Sequence, residues 1–207
     1  MSLKNRIIVG ITGASGAIYG IRLLETLKAL PVETHLVMSK AAEMTLAYET
    51  DFKPAEVRAL ADVVHGVADV GAPSASGSFR TMGMVIAACS VHSMAEIATG
   101  VTANLLTRAA DVTLKERRRL VLMLRETPLH TGHLRNMTAL SEMGAIIAPP
   151  VPAFYAKPTS VQDIVDHSVG RVLDLFGLET DLVRRWGEPP DPDEGGKSGA
   201  HPKRRKR

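Results

Sequence analysis

Arg6-Ile-Ile-Val-Gly-Ile-Thr12 runs without a break into Thr12-Gly-Ala-Ser-Gly-Ala-Ile-Tyr-Gly20, and this stretch decides the architecture. A short continuous apolar run bounded by a glycine-rich turn reads as a buried strand. The residues that follow place Ile18, Ile21, Leu24, Leu27 and Leu30 at helical spacing, and Pro31 stops the pattern. A buried strand, a tight turn and an amphipathic helix form half of a βαβ unit.

Working outward, the unit repeats. Val32 to Met38 reads as a strand, and Ser39 is placed to cap a helix running to about Tyr48. Pro54 to Ala61 reads as a short helix, while Gly66 to Gly83 gives weak signals and the composition of a loop. Met84–Ala88, Leu120–Leu124 and 145–148 read as further buried strands. Between and after them, helices are expected over 94–99 (with Ser90 or Ser93 as cap), 104–117, 134–143 and from Ser160 to the stop at Gly177. Strands alternating with helices predict an α/β fold, a single Rossmann-like or flavodoxin-like domain whose parallel sheet carries helices on both faces. In such sheets ligands bind at the carboxyl ends of the strands.

Composition narrows the class further. The chain has 207 residues, of which 45% are hydrophobic and 23% charged, as in an ordinary globular protein. One cysteine, Cys89, allows no internal disulfide and fits a reducing compartment. There is no apolar run of transmembrane length and no signal-peptide pattern, so a cytoplasmic location away from membranes is expected. The net charge of +3 resides in the last seventeen residues, where six bases face three acids. The body is neutral, and no nucleic-acid partner is expected. The division expected is one domain over 1–188 and a disordered basic tail over 189–207, which has proline, glycine and charge but no apolar periodicity.

Several residues fall where chemistry is expected. Gly13, Gly16 and Gly20 permit close backbone approach, the following helix aims free N–H groups at an anion, and Ser15 adds a hydroxyl. The spacing is neither the dinucleotide fingerprint nor a Walker loop, but many βα turns have one glycine and few have this density, which makes phosphate binding the favoured reading over an unliganded turn. Ala88-Cys-Ser-Val-His-Ser93 repeats the situation after a second buried strand. There Cys89 reads as a small buried thiol rather than a nucleophile, and His92 as either a base or part of a plain cap region. Arg125-Glu126 ends another strand, where arginine can grip a phosphate or carbonyl and glutamate can take a proton. Arg171 borders an apolar helix stripe, either snorkelling or binding phosphate, and Trp186 follows the last helix. No cluster has metal-ligand spacing, and no metal is expected.

Taken together, these pieces resemble the UbiX-like flavin prenyltransferases. The likeness is carried by T-G-A-S-G-A-x-Y-G at 12–20, S-K-A-A at 39–42, Glu49-Thr-Asp51, Ser76-Gly-Ser78 and Cys89-Ser90. It continues through Arg108-Ala-Ala-Asp111, Leu114-Lys-Glu-Arg-Arg118, Arg125-Glu-Thr-Pro128, His133-Leu-x-Asn-Met137, Pro152-Ala-Phe-Tyr155 and Arg185-Trp186. It covers roughly residues 6–188 in order, and the stretches Val32–Thr50 and Val57–Arg80 lean toward homologues that accompany phenolic-acid decarboxylases. Ala88 stands where members of the family carry proline before Cys-Ser, and Arg119 where a proline often follows the E-R-R run.

The resemblance implies an enzyme that joins a dimethylallyl group from dimethylallyl phosphate to N5 and C6 of reduced FMN, without a metal. The product, prenylated FMN, would serve a UbiD-like decarboxylase, and a homo-oligomer, often a dodecamer, is implied. Carried over residue by residue, it places Gly13, Ala14, Ser15, Ser39, Ser90, Val91, His92, Ser93 and Arg125 at FMN. It places Lys115, Tyr155 and Arg171 at the prenyl phosphate. Glu49 and Glu126 would be acid/base carboxylates, Trp186 would wall the prenyl pocket, and Lys115 would count among the catalytic residues with them. Two alternatives are a flavin-dependent cysteine decarboxylase and a non-catalytic flavin-binding subunit of an aromatic-acid decarboxylase. The first expects P-A-S-A-N-T, which Gly71-Ala-Pro-Ser-Ala-Ser76 does not match. The second is disfavoured by the presence of Lys115, Glu126, Tyr155 and Arg171 together.

Overall fold

A computed structural model describes residues 5–187. Six parallel strands form one sheet: β1 (Arg6–Ile11), β2 (Glu33–Met38), β3 (Val63–His65), β4 (Gly83–Cys89), β5 (Arg119–Leu124) and β6 (Ile146–Ile147). Their spatial order is β3-β2-β1-β4-β5-β6. The chain first winds outward from β1 through β2 to β3. It then returns to β4 on the other side of β1 and winds the opposite way. The switch point, where doubly wound sheets open a crevice for ligands, therefore lies between β1 and β4.

The helices are α1 (Ala17–Lys28), α2 (Lys40–Glu49), α3 (Pro54–Arg58), α4 (Val91–Thr99), α5 (Leu105–Lys115), α6 (Thr131–Glu142) and α7 (Val161–Asp174). Alternation along the strands sorts the core into two layers. Ile7, Val9, Ile11, Val85, Ala87, Val121 and Met123 face α1, α2, α3 and α7. Ile8, Met84, Ile86, Leu120, Leu122 and Leu124 face α4, α5 and α6. Each wholly buried leucine, such as Leu24 or Leu105, contributes about 1.5–3 kcal/mol by leaving water.

One strand escapes sequence reasoning. β3 has three residues, none of them fully buried, and pairs only with β2 at the sheet edge. It carries no apolar run, so its only signal is its pairing partner. Helix α6 starts three residues earlier than the apolar spacing predicts. His130 is the cap, its Nδ1 accepting hydrogen bonds from the Gly132 and His133 N–H groups at 3.0 and 3.4 Å. The expected tail lies outside the described residues.

The glycines of the first turn also serve packing within the protein. A Cβ on Gly13 would meet the Ala41 Cβ at 2.5 Å, and one on Gly20 would meet the Ala87 carbonyl oxygen at 2.5 Å. The close approach at these two positions is of protein to protein, pinning α2 to the turn and α1 to β4. Gly16 is needed for conformation, with φ at 102°.

Candidate active site

The carboxyl edge of β1 and β4 is stitched together by Thr12. Its side chain is 1% exposed, and its hydroxyl donates to the Ala88 carbonyl at 2.6 Å while accepting from the Ser90 N–H at 2.8 Å. The turns after both strands are thereby held in one register. Ser39, after β2, caps α2 by accepting from the Ala42 N–H at 3.1 Å. Ser90 caps α4, its hydroxyl accepting from the Ser93 N–H at 3.2 Å and donating to the Ser93 Oγ at 3.2 Å. Cys89 is wholly buried beneath this turn, and burial pushes its thiol up to about 12, as a packing role requires.

At the start of α1 the structure holds an anion of its own. One carboxylate oxygen of Glu49, the last residue of α2, accepts from the Gly16 and Ala17 N–H groups at 2.7 and 3.1 Å. Desolvation would raise this carboxyl, but the Ser15 hydroxyl, the two backbone N–H groups and the Arg125 charge outweigh it and hold it below the usual glutamate range. Glu49 thus engages the Gly16 and Ala17 N–H groups, and among the hydrogen bonds of the described residues it accepts none from Gly13 or Ala14. The first turn of α4 is closed only by a neutral hydroxyl and keeps its remaining donors.

Arg125 and Glu126 follow β5 at the same edge. The Arg125 N–H donates to the Cys89 carbonyl at 3.1 Å, tying this strand end to the α4 turn. Its guanidinium charge also acts on Tyr19 of α1, whose phenol burial raises. The Glu126 side chain is exposed and accepts from the Thr127 N–H at 3.0 Å.

Past β6, Tyr155 lies in a single helical turn at Phe154–Ala156. Its hydroxyl is 3.1 Å from His167 Nε2, and its ring stands edge-on to Trp186 with centroids 5.5 Å apart. Arg171, one turn beyond His167, lines a cleft of about 210 Å³ with Met123, Ala148, Pro149 and His167. Its Nη1 donates to Asp174 Oδ2 at 2.8 Å, and Asp174 also receives Arg185 at 2.9 and 3.1 Å. Those bonds, the Arg185 ones foremost, hold Asp174 below its ordinary value. Trp186 is 81% exposed. Two strand spacings, about 10 Å, separate β4 from β6, so this cleft neighbours the switch-point crevice.

Lys115 is elsewhere. It ends α5 just before β5 begins, at the amino-terminal edge of the sheet, where it pairs with Glu116 beside Gly77. The six residues of β5 place it about 20 Å from Arg125. Within one chain, Tyr155, Arg171 and Trp186 come together, whereas Lys115 does not join them. His92 is exposed and faces Glu96 at 3.5 Å on its own helix. The residue that sequence reasoning missed here is His167. Its only sequence signal is its place one helical turn before Arg171.

The Flavoprotein family matches residues 1–173. The flavin prenyltransferase UbiX of Thauera aromatica is 58% identical over 181 residues, covering 87% of this chain and 93% of that protein. The chain belongs to the UbiX family of flavin prenyltransferases. Among solved structures, AnUbiX (PadA1) in complex with FMN and dimethylallyl pyrophosphate is similar to this UbiX-family chain. It has 55% identity and a TM-score of 0.88, covering 90% of this chain and 99% of that one. A dodecameric FMN-dependent UbiX-like decarboxylase from Escherichia coli O157:H7 is 54% identical with a TM-score of 0.87, over 88% of this chain and 100% of that one. The FMN-dependent cysteine decarboxylase TvaF is only 16% identical with a TM-score of 0.58, a likeness of fold alone. Among the described residues no helix is long and apolar enough to cross a membrane, and no group of three or more His, Cys, Asp or Glu could hold a metal ion.

Proposed function

We propose that this chain transfers a dimethylallyl group from dimethylallyl phosphate to reduced FMN, making prenylated FMN for a UbiD-like decarboxylase. The observation that carries this is the 55% identity to a chain solved with FMN and dimethylallyl pyrophosphate together. The donor set of the switch-point crevice fits FMN. It combines the hydroxyls of Ser15, Ser39, Ser90 and Ser93, the backbone N–H groups of 13–15 and of Val91 and His92, and the Arg125 guanidinium. Such a set suits a phosphate and an acceptor-rich ring. When bound, reduced FMN supplies the nucleophilic N5 and C6.

The chain's own residues do the rest. Breaking an allylic C–O bond leaves negative charge on the phosphate, which Arg171 and the Tyr155 O–H stabilise without a metal. The exposed indole of Trp186, packed on Tyr155, offers a π face to the allyl cation. Glu126, exposed just past the end of β5, takes the proton lost from C6, and Glu49 serves as a second acid/base carboxylate near Ser15. Lys115 reaches the phosphate only from another copy, which fits a homo-oligomer such as the dodecameric relative. The proposal places the catalytic domain at 1–188, the basic tail outside it, and the protein in the cytoplasm.

The test is to incubate the protein with reduced FMN and dimethylallyl phosphate and weigh the extracted flavin. A prenyl-sized mass increase is expected, unaffected by EDTA, and an unchanged flavin mass overturns the reading. Arg171→Ala and Lys115→Ala should each slow transfer about 10²-fold or more, with FMN affinity retained.

A further inference from the structure

Tyr155 is held by two residues, His167 and Trp186. His167 Nε2 sits 3.1 Å from its hydroxyl oxygen. The His167 and Trp186 rings both stand edge-on to its ring, at 5.7 and 5.5 Å between centroids. Arg171 follows His167 by four residues on α7, so imidazole and guanidinium share one helix face toward the cleft.

The hydrogen-bond inventory of this pair is restrictive. A phenol has one proton to give and can accept as well, and a neutral imidazole nitrogen either donates or accepts. If the Tyr155 proton goes to His167 Nε2, none is left for an anion beside Arg171. If His167 carries its proton on Nε2, it donates to the Tyr155 oxygen, and the phenol proton is free to point at that anion. We propose that His167 is a positioning residue for prenyl transfer: its Nε2–H donates to the Tyr155 oxygen, fixes the phenol, and directs the Tyr155 proton to the departing phosphate. This rests on the reading of Tyr155 and Arg171 as the prenyl-phosphate site.

The donation also polarises the phenol, because hydrogen bonds in a chain strengthen one another. Burial first, and then the Arg171 charge, lower the His167 pKa against the opposing pull of Asp174. The ring is thus held neutral at neutral pH, supplying one donor without a second cation beside Arg171. The charged groups around it are consistent with that role. Asp174 is engaged by Arg171 and Arg185, and Asp166 by Arg22 of α1 and by Gln162.

Three variants test the assignment. His167→Leu removes the donor, His167→Gln restores an N–H at a similar reach, and Tyr155→Phe removes the acceptor. Nitrogen NMR of the wild-type protein without substrate should show a His167 Nε2–H resonance that shifts on Tyr155→Phe. In turnover, His167→Leu should lower kcat about 3- to 10-fold, the worth of one hydrogen bond, with FMN affinity unchanged. His167→Gln should recover most of that loss, and His167→Leu should add nothing in the Tyr155→Phe background. Full activity of His167→Leu, additive losses in the double variant, or an Nε2 resonance indifferent to Tyr155→Phe overturns the proposal. A wild type that transfers no prenyl group overturns the reading beneath it, and the Nε2 resonance, which needs no turnover, tells the two failures apart.

Discussion

Two helices begin side by side at the switch point, and their first turns are closed by opposite means. The N-terminus of α1 is occupied by Glu49, a carboxylate brought 33 residues along the chain, at 2.7 Å from the Gly16 N–H. The N-terminus of α4 is closed by its own neighbour, the neutral Ser90 hydroxyl. Both turns follow buried strands and both are rich in small residues, yet only α4 leaves its dipole uncompensated by charge. The difference teaches that a glycine-rich turn before a helix marks a place where an anion is stable, and that the anion is sometimes the protein's own.

The largest expected effect comes from taking the charge away at α1. Glu49→Gln keeps an oxygen that can accept from Gly16 and Ala17, so the helix start survives. If the carboxylate is also an acid/base group, prenyl transfer falls about 10²-fold or more. Transfer at the wild-type rate would reduce Glu49 to a cap. The same variant has a pH signature. The folded-state pKa of Glu49 is lowered, so its contribution to stability is present above the ordinary glutamate range and is lost as the pH falls below that range and through the lowered folded-state pKa. Thermal denaturation across acid pH should show a limb in the wild type that Glu49→Gln flattens.

Next in size is the stitch between the two turns. Thr12→Val removes the hydroxyl from the Ser90 N–H and leaves the Ala88 carbonyl only the Thr12 N–H at 3.4 Å. It should cost roughly 1–3 kcal/mol in chemical denaturation and loosen both turns at once. Ser90→Ala touches α4 alone and should cost about 1 kcal/mol, with weaker FMN binding measured by fluorescence quenching. Smallest of all, Cys89→Ala should leave turnover nearly unchanged, because the thiol packs beneath the α4 turn and stays protonated. Inactivation with flavin still bound would mean that the α4 turn works through sulfur and not through its N–H groups.

Much of this was legible in order along the chain. The strand at Arg6–Ile11, the helix stripe from Ile18 to Leu27, the Ser39 and Ser160 caps and the turn at Ser90 all follow from periodicity and capping chemistry acting over a few residues. The strand β3 was not legible, since three half-buried edge residues have no pattern apart from their partner β2. The start of α6 was missed because a histidine, rather than a hydroxyl or carboxylate, takes the cap.

Chain order alone carried the α/β class, the turns at the carboxyl edge and the family's residue types at their places. Those depend on local backbone preference and on the alternation of apolar side chains, which neighbouring residues decide. It took the folded arrangement to show that Glu49 caps α1, that His167 meets Tyr155, and that Lys115 stands at the far edge of the sheet from Arg125. Each is a relation between different elements of the fold, 33 residues apart for Glu49 and Gly16 and 12 for Tyr155 and His167. The winding order of the strands sets it, because in a parallel sheet every helix-to-strand connection returns the chain to the amino-terminal edge before the next strand begins.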